Sequence, residues 1–185
     1  DKSDAYFQVA GKPPTAVILE PQSEAQILSC GKLAFEGLAS DPEGQPLTYA
    51  WQIDGASVAS DLSGSVDAPA PGLHRLAFEV VDSNGFTERK ETGFSVAEDS
   101  DCDTLPDSYE NLHALNPLYA ADSGEDPDGD GLNNRQEFVY GTLPRQWDTD
   151  GDGTSDGEEI QQGTDPLDGG SSPTRYLFLP IVHRD

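Results

Sequence analysis

The chain contains no methionine, only two cysteines and two tryptophans, and only ten lysines and arginines against 35 aspartates and glutamates. Its formal net charge of -25 argues against nucleic acids and anionic membrane surfaces as partners, because both are polyanions that would repel it. No apolar run approaches the roughly 18 residues that a transmembrane helix needs. The same charge destabilises a compact fold by self-repulsion. A folded chain of this composition therefore calls for bound cations.

The chain begins at Asp1 rather than at methionine, as a secreted protein does once its signal peptide has been removed. Its two cysteines, Cys30 and Cys102, agree with an oxidising compartment without proving one. A disulfide between them and a pair of unpaired thiols are equally compatible with the sequence. We expect an extracellular or cell-surface protein.

Alternating apolar residues and β-branched or aromatic residues mark five segments of the first half. In the segment LTYAWQI, residues 47–53, Leu47, Tyr49, Trp51 and Ile53 fall on one face of a strand. Turn signals such as DPEGQP and DSNG separate the segments at intervals typical of a two-sheet sandwich. The predicted strands are 15–20, 32–38, 47–53, 73–82 and 91–96.

Two stretches of this half, GLASDPEGQPLTYAWQIDG at 37–55 and GLHRLAFEVVDSNG at 72–85, resemble bacterial Ig-like domains of the PKD type. The resemblance covers roughly residues 13–97 and implies an Ig-like β-sandwich, but it says little about function. Within it, Asp41, Glu43 and Asp82 either hold a cation at a loop end or form ordinary turns, and we favour the turns.

The second half is rich in aspartate and glycine, and its segment DTDGDGTSDGEE at 148–159 fits a calcium-binding loop. Such a twelve-residue loop offers oxygen ligands from positions 1, 3, 5, 7, 9 and 12, with a backbone carbonyl at 7, two oxygens from a glutamate at 12 and a glycine at the sharp turn of position 6. The predicted ligands are Asp148, Asp150, Asp152, the Thr154 carbonyl, Asp156 and Glu159, with Gly153 at the turn.

The same template fits twice more, so the sequence predicts about three Ca²⁺ ions. In DPDGDGLNNRQE the ligands are Asp126, Asp128, Asp130, the Leu132 carbonyl, Asn134 and Glu137. In DSDCDTLPDSYE they are Asp99, Asp101, Asp103, the Leu105 carbonyl, Asp107 and Glu110. Thr104 replaces the glycine of position 6 in this first loop, so we expect a strained or altered turn there.

Other interpretations of the acidic segments fit less well. A disordered acidic tail has no reason to repeat glutamate at position 12 three times. Magnesium prefers octahedral sites that retain water, and zinc lacks a set of cysteine and histidine ligands here.

A short segment of helical character follows each loop, at 106–115, 133–141 and 155–163, with Gly141 and Gly163 as C-terminal stops. The segments before the loops do not have helical patterns, so these are not complete EF-hands. Helices of about eight residues barely form alone, and few apolar side chains support them. We therefore expect metal binding to be coupled to folding.

These loop-helix units, followed by LNP, GTLP or GTDP, resemble bacterial thrombospondin type 3 repeats, and dockerin-type modules share the loop. The resemblance spans about residues 98–168 and implies a rigid, calcium-stiffened, extracellular spacer or adhesion segment. Asp165 and Asp168 stand where another repeat would begin and either add ligands or cap the array. The predicted fold is mainly β: an arm at 1–12, the sandwich at 13–97, the repeats at 98–168, and a C-terminal loop and strand at 169–185.

Two apolar, strand-like segments at 4–9 and 175–182 are surplus to this sandwich. Each either packs within its own subunit or adds to a sheet edge of a neighbour, and head-to-tail addition would produce a filament. The sequence thus favours a calcium-binding structural or adhesion protein, whose partners are copies of itself or cell-surface components. The alternative is a non-catalytic accessory region of a secreted hydrolase.

No catalytic motif is recognisable, so we expect no enzymatic activity. His74 is expected on an exposed strand face, His113 on a short helix and His183 near the C-terminus. Neither a Gly-x-Ser-x-Gly nor a His-Glu-x-x-His motif occurs.

Overall fold

The computed structural model of the chain describes residues 11–170, and the chain divides into two compact units, Asp1–Glu98 and Asp99–Asp185. The strand-like segments at 4–9 and 175–182 lie outside the described residues. Within the described range, no helix is long and apolar enough to span a membrane.

The first unit is a sandwich of two β-sheets, which confirms the mainly β, Ig-like fold. The strands are β1 Thr15–Glu20, β2 Ala25–Leu28, β3 Lys32–Ser40, β4 Leu47–Ile53, β5 Ala56–Ala59, β6 Ser63–Asp67, β7 Gly72–Asp82 and β8 Thr87–Ala97. One sheet has three strands in the order β1-β3-β6, and the other has five in the order β2-β8-β7-β4-β5. Neighbouring strands are antiparallel except β2 and β8, which are parallel.

The core of this unit lies between the inner faces of the two sheets. Trp51 stacks on Phe78 with ring centroids 4.3 Å apart, and Phe35 of the facing sheet approaches Trp51 at 5.0 Å. Leu76 and Val80 of β7 are fully buried beside them, as the alternation along that strand predicts. The core is thus an ordinary apolar one that needs no metal.

Gly37 of β3 allows the sheets to approach closely at the core. A Cβ atom at this position would lie 2.6 Å from the Phe78 ring, which is closer than Cβ atoms come to their neighbours in real proteins. The glycine therefore gives the Phe78 ring its space between the sheets.

His74 was predicted on an exposed strand face, and this prediction is wrong, because its side chain is only 13% exposed. It shares the parity of Leu76 along β7, so it faces the inner side of the sandwich, where its ring stacks on Phe94 at 5.4 Å. Its Nδ1 lies 2.6 Å from Asp54 Oδ2 and its Nε2 lies 2.7 Å from the Ala70 carbonyl oxygen.

Asp41 and Asp82 each hold a turn through Oδ1, while their buried Oδ2 atoms have no hydrogen-bond partner, so the preference for turns over a cation stays a prediction. Asp41 Oδ1 accepts the N–H groups of Glu43 and Gln45. Asp82 Oδ1 accepts those of Asn84 and Phe86 in the same way.

The second unit contains three seven-residue helices and one short 3-10 helix, Asp122–Gly124. The helices are α1 Asp107–His113, α2 Asn134–Tyr140 and α3 Asp156–Gln162. Gly141 and Gly163 end α2 and α3 in the left-handed conformation, with φ of 80° and 75°. The predicted helices and both glycine stops are therefore confirmed.

The sequence left open whether the two cysteines form a disulfide or remain as thiols. Cys30 and Cys102 are both disulfide-bonded, and the chain has no free cysteine.

Candidate metal centres

The three acidic loops share one backbone conformation, held by hydrogen bonds from main-chain N–H groups to their own carboxylates. The carboxylate at position 5 accepts from the N–H at position 7: Asp103 from Leu105 at 2.8 Å, Asp130 from Leu132 at 2.7 Å and Asp152 from Thr154 at 2.8 Å. The carboxylate at position 1 accepts from the N–H at position 6 in every loop: Asp99 from Thr104, Asp126 from Gly131 and Asp148 from Gly153. At position 1 the second oxygen also accepts a loop N–H, from Asp103, Gly129 and Gly151 respectively. These bonds fold each loop around its acids.

Positive φ angles occur at two positions of each loop. At position 6, Gly131 and Gly153 have φ of 101°, and Thr104 takes a φ of 81° in the first loop. Thr104 thus adopts the strained conformation expected from its sequence position. Position 4 is left-handed as well, with Gly129 at 79°, Gly151 at 80° and Cys102 at 65°. The left-handed conformation at position 4 was not predicted from the sequence, although Gly129 and Gly151 indicate it.

The acids at positions 1, 3 and 5 come together in all three loops. In each loop, one oxygen from each of the three carboxylates lies within 4.8 Å of the other two. The clusters are Asp99, Asp101 and Asp103; Asp126, Asp128 and Asp130; and Asp148, Asp150 and Asp152. Such converging oxygens suit a hard divalent cation.

The glutamates at position 12 lie in the first turns of the helices and are almost fully buried. Glu110 and Glu137 are 0% exposed and Glu159 is 2% exposed. Both carboxylate oxygens of Glu110 and of Glu137 have no hydrogen-bond partner. A buried carboxylate without a partner is very unfavourable, so these side chains fit a cation as their missing partner.

The acid-base properties of these side chains reflect the same crowding. Burial, followed by repulsion from neighbouring aspartates, raises the pKa of Glu110 to about 7 and that of Glu137 to about 8. Burial is also the largest cause that raises the pKa of Asp101, Asp128 and Asp150, the acids at position 3. A bound divalent cation would reverse this penalty by stabilising the ionised forms.

The side chains at position 9 close two of the loops onto position 2. Asp107 accepts from the N–H and the hydroxyl of Ser100 at 2.7 and 2.6 Å. Asp156 accepts from the same groups of Thr149 at 2.8 and 2.6 Å. Among the described residues, neither acid belongs to the clusters of converging carboxylates. Both were predicted as ligands, and the structure gives both a loop-closing contact.

The second loop differs at position 9 for a chemical reason. Its position 2 is Pro127, which has no N–H to donate, and its position 9 is Asn134 rather than an acid. Asn134 instead donates from Nδ2 to the Asp122 carbonyl at 2.7 Å, and its fully buried Oδ1 has no partner. The pairing of residue types at positions 2 and 9 was the sequence signal for this contact.

The interior of the second unit is formed mainly by polar side chains. In the part of this unit that the structure describes, Leu105 and Leu132 are the buried aliphatic side chains, apart from prolines. Both stand at position 7, where the template expects a carbonyl ligand, as Thr154 does in the third loop. The buried polar residues are Asp99, Asp103, Glu110, Asp122, Ser123, Asn134, Glu137, Thr142, Asp148, Asp156, Glu159 and Thr164.

One acid of this interior was not predicted. Asp122, which precedes the second loop, places a carboxylate oxygen within 4.8 Å of oxygens from Asp103 and Glu110. No loop template includes it, so the sequence offered no signal. Asp165 and Asp168, by contrast, accept N–H groups two residues further along the chain, from Leu167 and Gly170.

A comparison with known protein families agrees with the second and third repeats. Residues 126–142 and 148–169 match the model of the bacterial TSP3 repeat, a calcium-binding repeat. No curated protein sequence matches the chain.

Among solved structures, the fibronectin(III)-like modules of Clostridium thermocellum CbhA are 18% identical with a TM-score of 0.43, over 46% of this chain and 47% of that one. The match thus spans less than half of the CbhA chain. The PKD1 domain of Vibrio anguillarum Epp is 18% identical with a TM-score of 0.37, over 46% of this chain and 95% of that one. The PKD1 domain of the Vibrio cholerae metalloprotease PrtV is 16% identical with a TM-score of 0.37, over 46% and 98%. Residues 126–142 and 148–169 thus match bacterial TSP3 repeats, as the sequence resemblance implied, whereas the first loop at 99–110 lies outside that match. The unit that precedes them is an Ig-like β-sandwich.

Proposed function

We propose that the protein is a secreted, calcium-binding structural or adhesion protein, in which calcium ions stiffen the second unit. The observation that supports this most directly is the pair of fully buried position-12 glutamates, Glu110 and Glu137, whose carboxylate oxygens have no hydrogen-bond partner. An interior of this kind repels itself unless cations bind to it. Binding would therefore supply the cohesion that an apolar core supplies in the first unit.

Calcium fits the residues better than other common metals do. Each loop offers three aspartates and one glutamate, all hard oxygen ligands, and a backbone carbonyl at position 7. Magnesium retains several waters in an octahedral shell, whereas each of these loops offers enough protein oxygens for the larger shell of calcium. Zinc sites use cysteine and histidine, and both cysteines are disulfide-bonded here.

We propose a non-enzymatic role. Among the described histidines, His74 is the one paired with a carboxylate in the manner of a catalytic dyad. Both of its ring nitrogens are occupied, however, one by Asp54 and one by the Ala70 carbonyl, which also raise its pKa. Both nitrogens thus face acceptor oxygens within the fold, an arrangement that suits a structural role.

The proposed assembly is a filament formed by strand exchange between copies of the chain. Within residues 11–170, the strands β1, β6, β2 and β5 pair on one side only, and unpaired sheet edges accept further strands. The apolar segments at 4–9 and 175–182 are candidates to fill such edges. The disulfide favours an oxidising, extracellular setting.

Light scattering and negative-stain microscopy of the purified chain in millimolar calcium, before and after chelation, test this proposal. A very large particle that dissociates on chelation supports a calcium-dependent filament. Deletion of residues 175–185 should then abolish assembly. The control variant Glu158→Gln, which removes one charge from an exposed side chain, should still assemble. A monomer in both conditions contradicts the filament and favours the accessory-module alternative.

A further inference from the structure

A second group of buried carboxylates lies next to the first calcium loop. Oxygens of Asp103, Glu110 and Asp122 lie within 4.8 Å of one another, and all three side chains are buried. Asp103 also belongs to the loop cluster with Asp99 and Asp101. Asp122 comes from the segment that separates α1 from the second loop, so this group combines residues from outside the twelve-residue template.

Each of these carboxylates has at least one oxygen without a hydrogen-bond partner. These atoms are Oδ2 of Asp103, both oxygens of Glu110 and Oδ1 of Asp122. Glu110 is 0% exposed and Asp122 is 7% exposed, so water does not replace the missing partners. Desolvated carboxylates this close together require a positive charge.

The opposite side of Asp122 is fixed by the backbone. Its Oδ2 accepts the Asn116 N–H at 2.8 Å, and its carbonyl accepts from Asn134 Nδ2 at 2.7 Å. Asp103 is held similarly, since its Oδ1 accepts the Leu105 N–H at 2.8 Å. In both residues, therefore, one carboxylate oxygen is used for structure and the other is left unpaired within the group.

The nearest described cation does not neutralise this group. Arg135 donates to the Asp103 carbonyl oxygen and to the Ser123 hydroxyl, and no ion pair between Arg135 and these carboxylates is found among the described residues. A guanidinium bound to a carbonyl leaves the carboxylate oxygens unpaired. Asn134, whose Nδ2 donates to the Asp122 carbonyl, also has a buried amide oxygen without a hydrogen-bond partner.

We propose that Asp103, Glu110 and Asp122 bind a second divalent cation. Asp103, which belongs to both clusters, and Glu110, the predicted position-12 ligand, are then shared with the ion of the first loop. The five acids of the two clusters carry five negative charges, so one divalent ion leaves a net charge of -3 and two leave -1. Charge balance thus favours two ions. The hard oxygen ligands indicate calcium. This inference rests on the proposed calcium binding of the loops.

Counting bound ions tests the proposal. The Asp122→Asn variant keeps an oxygen for the Asn116 N–H but loses the negative charge. The matched control is Glu125→Gln, which removes an equal charge from an exposed side chain three residues away. Equilibrium dialysis against calcium, followed by elemental analysis, should give one ion fewer per chain for Asp122→Asn and an unchanged count for Glu125→Gln. Equal counts for wild type and Asp122→Asn overturn the second site.

A measurement on the wild-type chain covers the case in which Asp122→Asn fails to fold. Electron paramagnetic resonance of the Mn²⁺-loaded protein should detect a spin-coupled pair of ions, because two ions that share a carboxylate lie close together. Spectra of isolated Mn²⁺ alone would overturn the proposal. A wild-type chain that binds no ion would instead refute calcium binding altogether, so failure of the two proposals can be distinguished.

Discussion

Removal of calcium is expected to open the second unit and to leave the sandwich closed. The reason is the difference between the two interiors. The sandwich contains a cluster of buried apolar residues around Trp51 and Phe78, whereas the second unit buries acids that repel one another. Without a cation, this repulsion between buried acids is not compensated.

The size of the effect follows from binding linkage. A ligand at 100 times its dissociation constant stabilises the fold by about 2.7 kcal/mol, which is the case for a site of ~10 μM affinity in ~1 mM calcium. Three such loops would contribute about 8 kcal/mol to the second unit. Loss of even one site corresponds to a roughly 100-fold larger open population.

Hydrogen exchange with mass spectrometry measures both units in one sample. We expect the amides of α1, α2 and α3, such as the Gly141 N–H bonded to the Glu137 carbonyl, to exchange at least about 100-fold faster in chelator than in calcium. The paired amides of β4 and β7 should exchange at the same rate in both. Equal amounts of magnesium should restore little protection, because magnesium retains its waters. Identical exchange of α1 to α3 in calcium and in chelator would refute the reasoning.

Three further predictions concern single residues. Glu137→Gln should weaken calcium binding at the second loop by tenfold or more, about 1.4 kcal/mol, as measured by calorimetry, whereas the exposed control Glu158→Gln should change it less than twofold. Calcium binding should release protons and should weaken as the pH falls from 8 to 6. The reason is that burial raises the pKa of Glu110 to about 7 and that of Glu137 to about 8, whereas calcium binds the ionised carboxylates. The metal-free fold, in contrast, should become more stable as the pH falls over this range, because the folded chain then binds more protons than the unfolded chain. Calorimetry in two buffers of different ionisation enthalpy counts these protons, and identical heats would contradict the prediction. Thr104→Gly should stabilise the calcium-bound second unit by up to about 1 kcal/mol, because glycine removes the strain of a positive φ. Its melting temperature should therefore rise, and a lower one would contradict the prediction.

Long or strongly patterned strands were predictable from the sequence, and short edge strands were not. β4 begins and ends where the pattern of LTYAWQI predicts, at Leu47 and Ile53. β6, Ser63–Asp67, has only Val66 as a large apolar residue and is mostly exposed, so its pairing with β3 is a consequence of the tertiary fold. The short strands β2 and β5 were not predicted either, because four residues give too little periodicity.

The acids at positions 1, 3, 5 and 12 were predictable because the ligand chemistry itself sets their spacing. Position 9 was harder, because Asp107 and Asp156 have two possible partners, a cation and the residue at position 2. Their hydrogen bonds to Ser100 and Thr149 depend on the loop being closed already. A template that considers one residue at a time does not contain that dependence.

Asp122 was not predictable from the loops because its role depends on contacts between consecutive repeats. Such contacts recur: Arg135, at position 10 of the second loop, donates to the Asp103 carbonyl, and the N–H of Gly157, at position 10 of the third, donates to Asp130 Oδ2 at 2.9 Å. A Cβ at Gly157 would lie 2.3 Å from the Asp130 carbonyl oxygen, so only glycine fits there. Position 5 of one loop is thus both a predicted metal ligand and the contact point of the next repeat. A loop that loses its cation would shift this contact, and stability in such arrays depends on nearest-neighbour contacts. For this reason we expect chelation to open the second unit as a whole rather than one loop at a time.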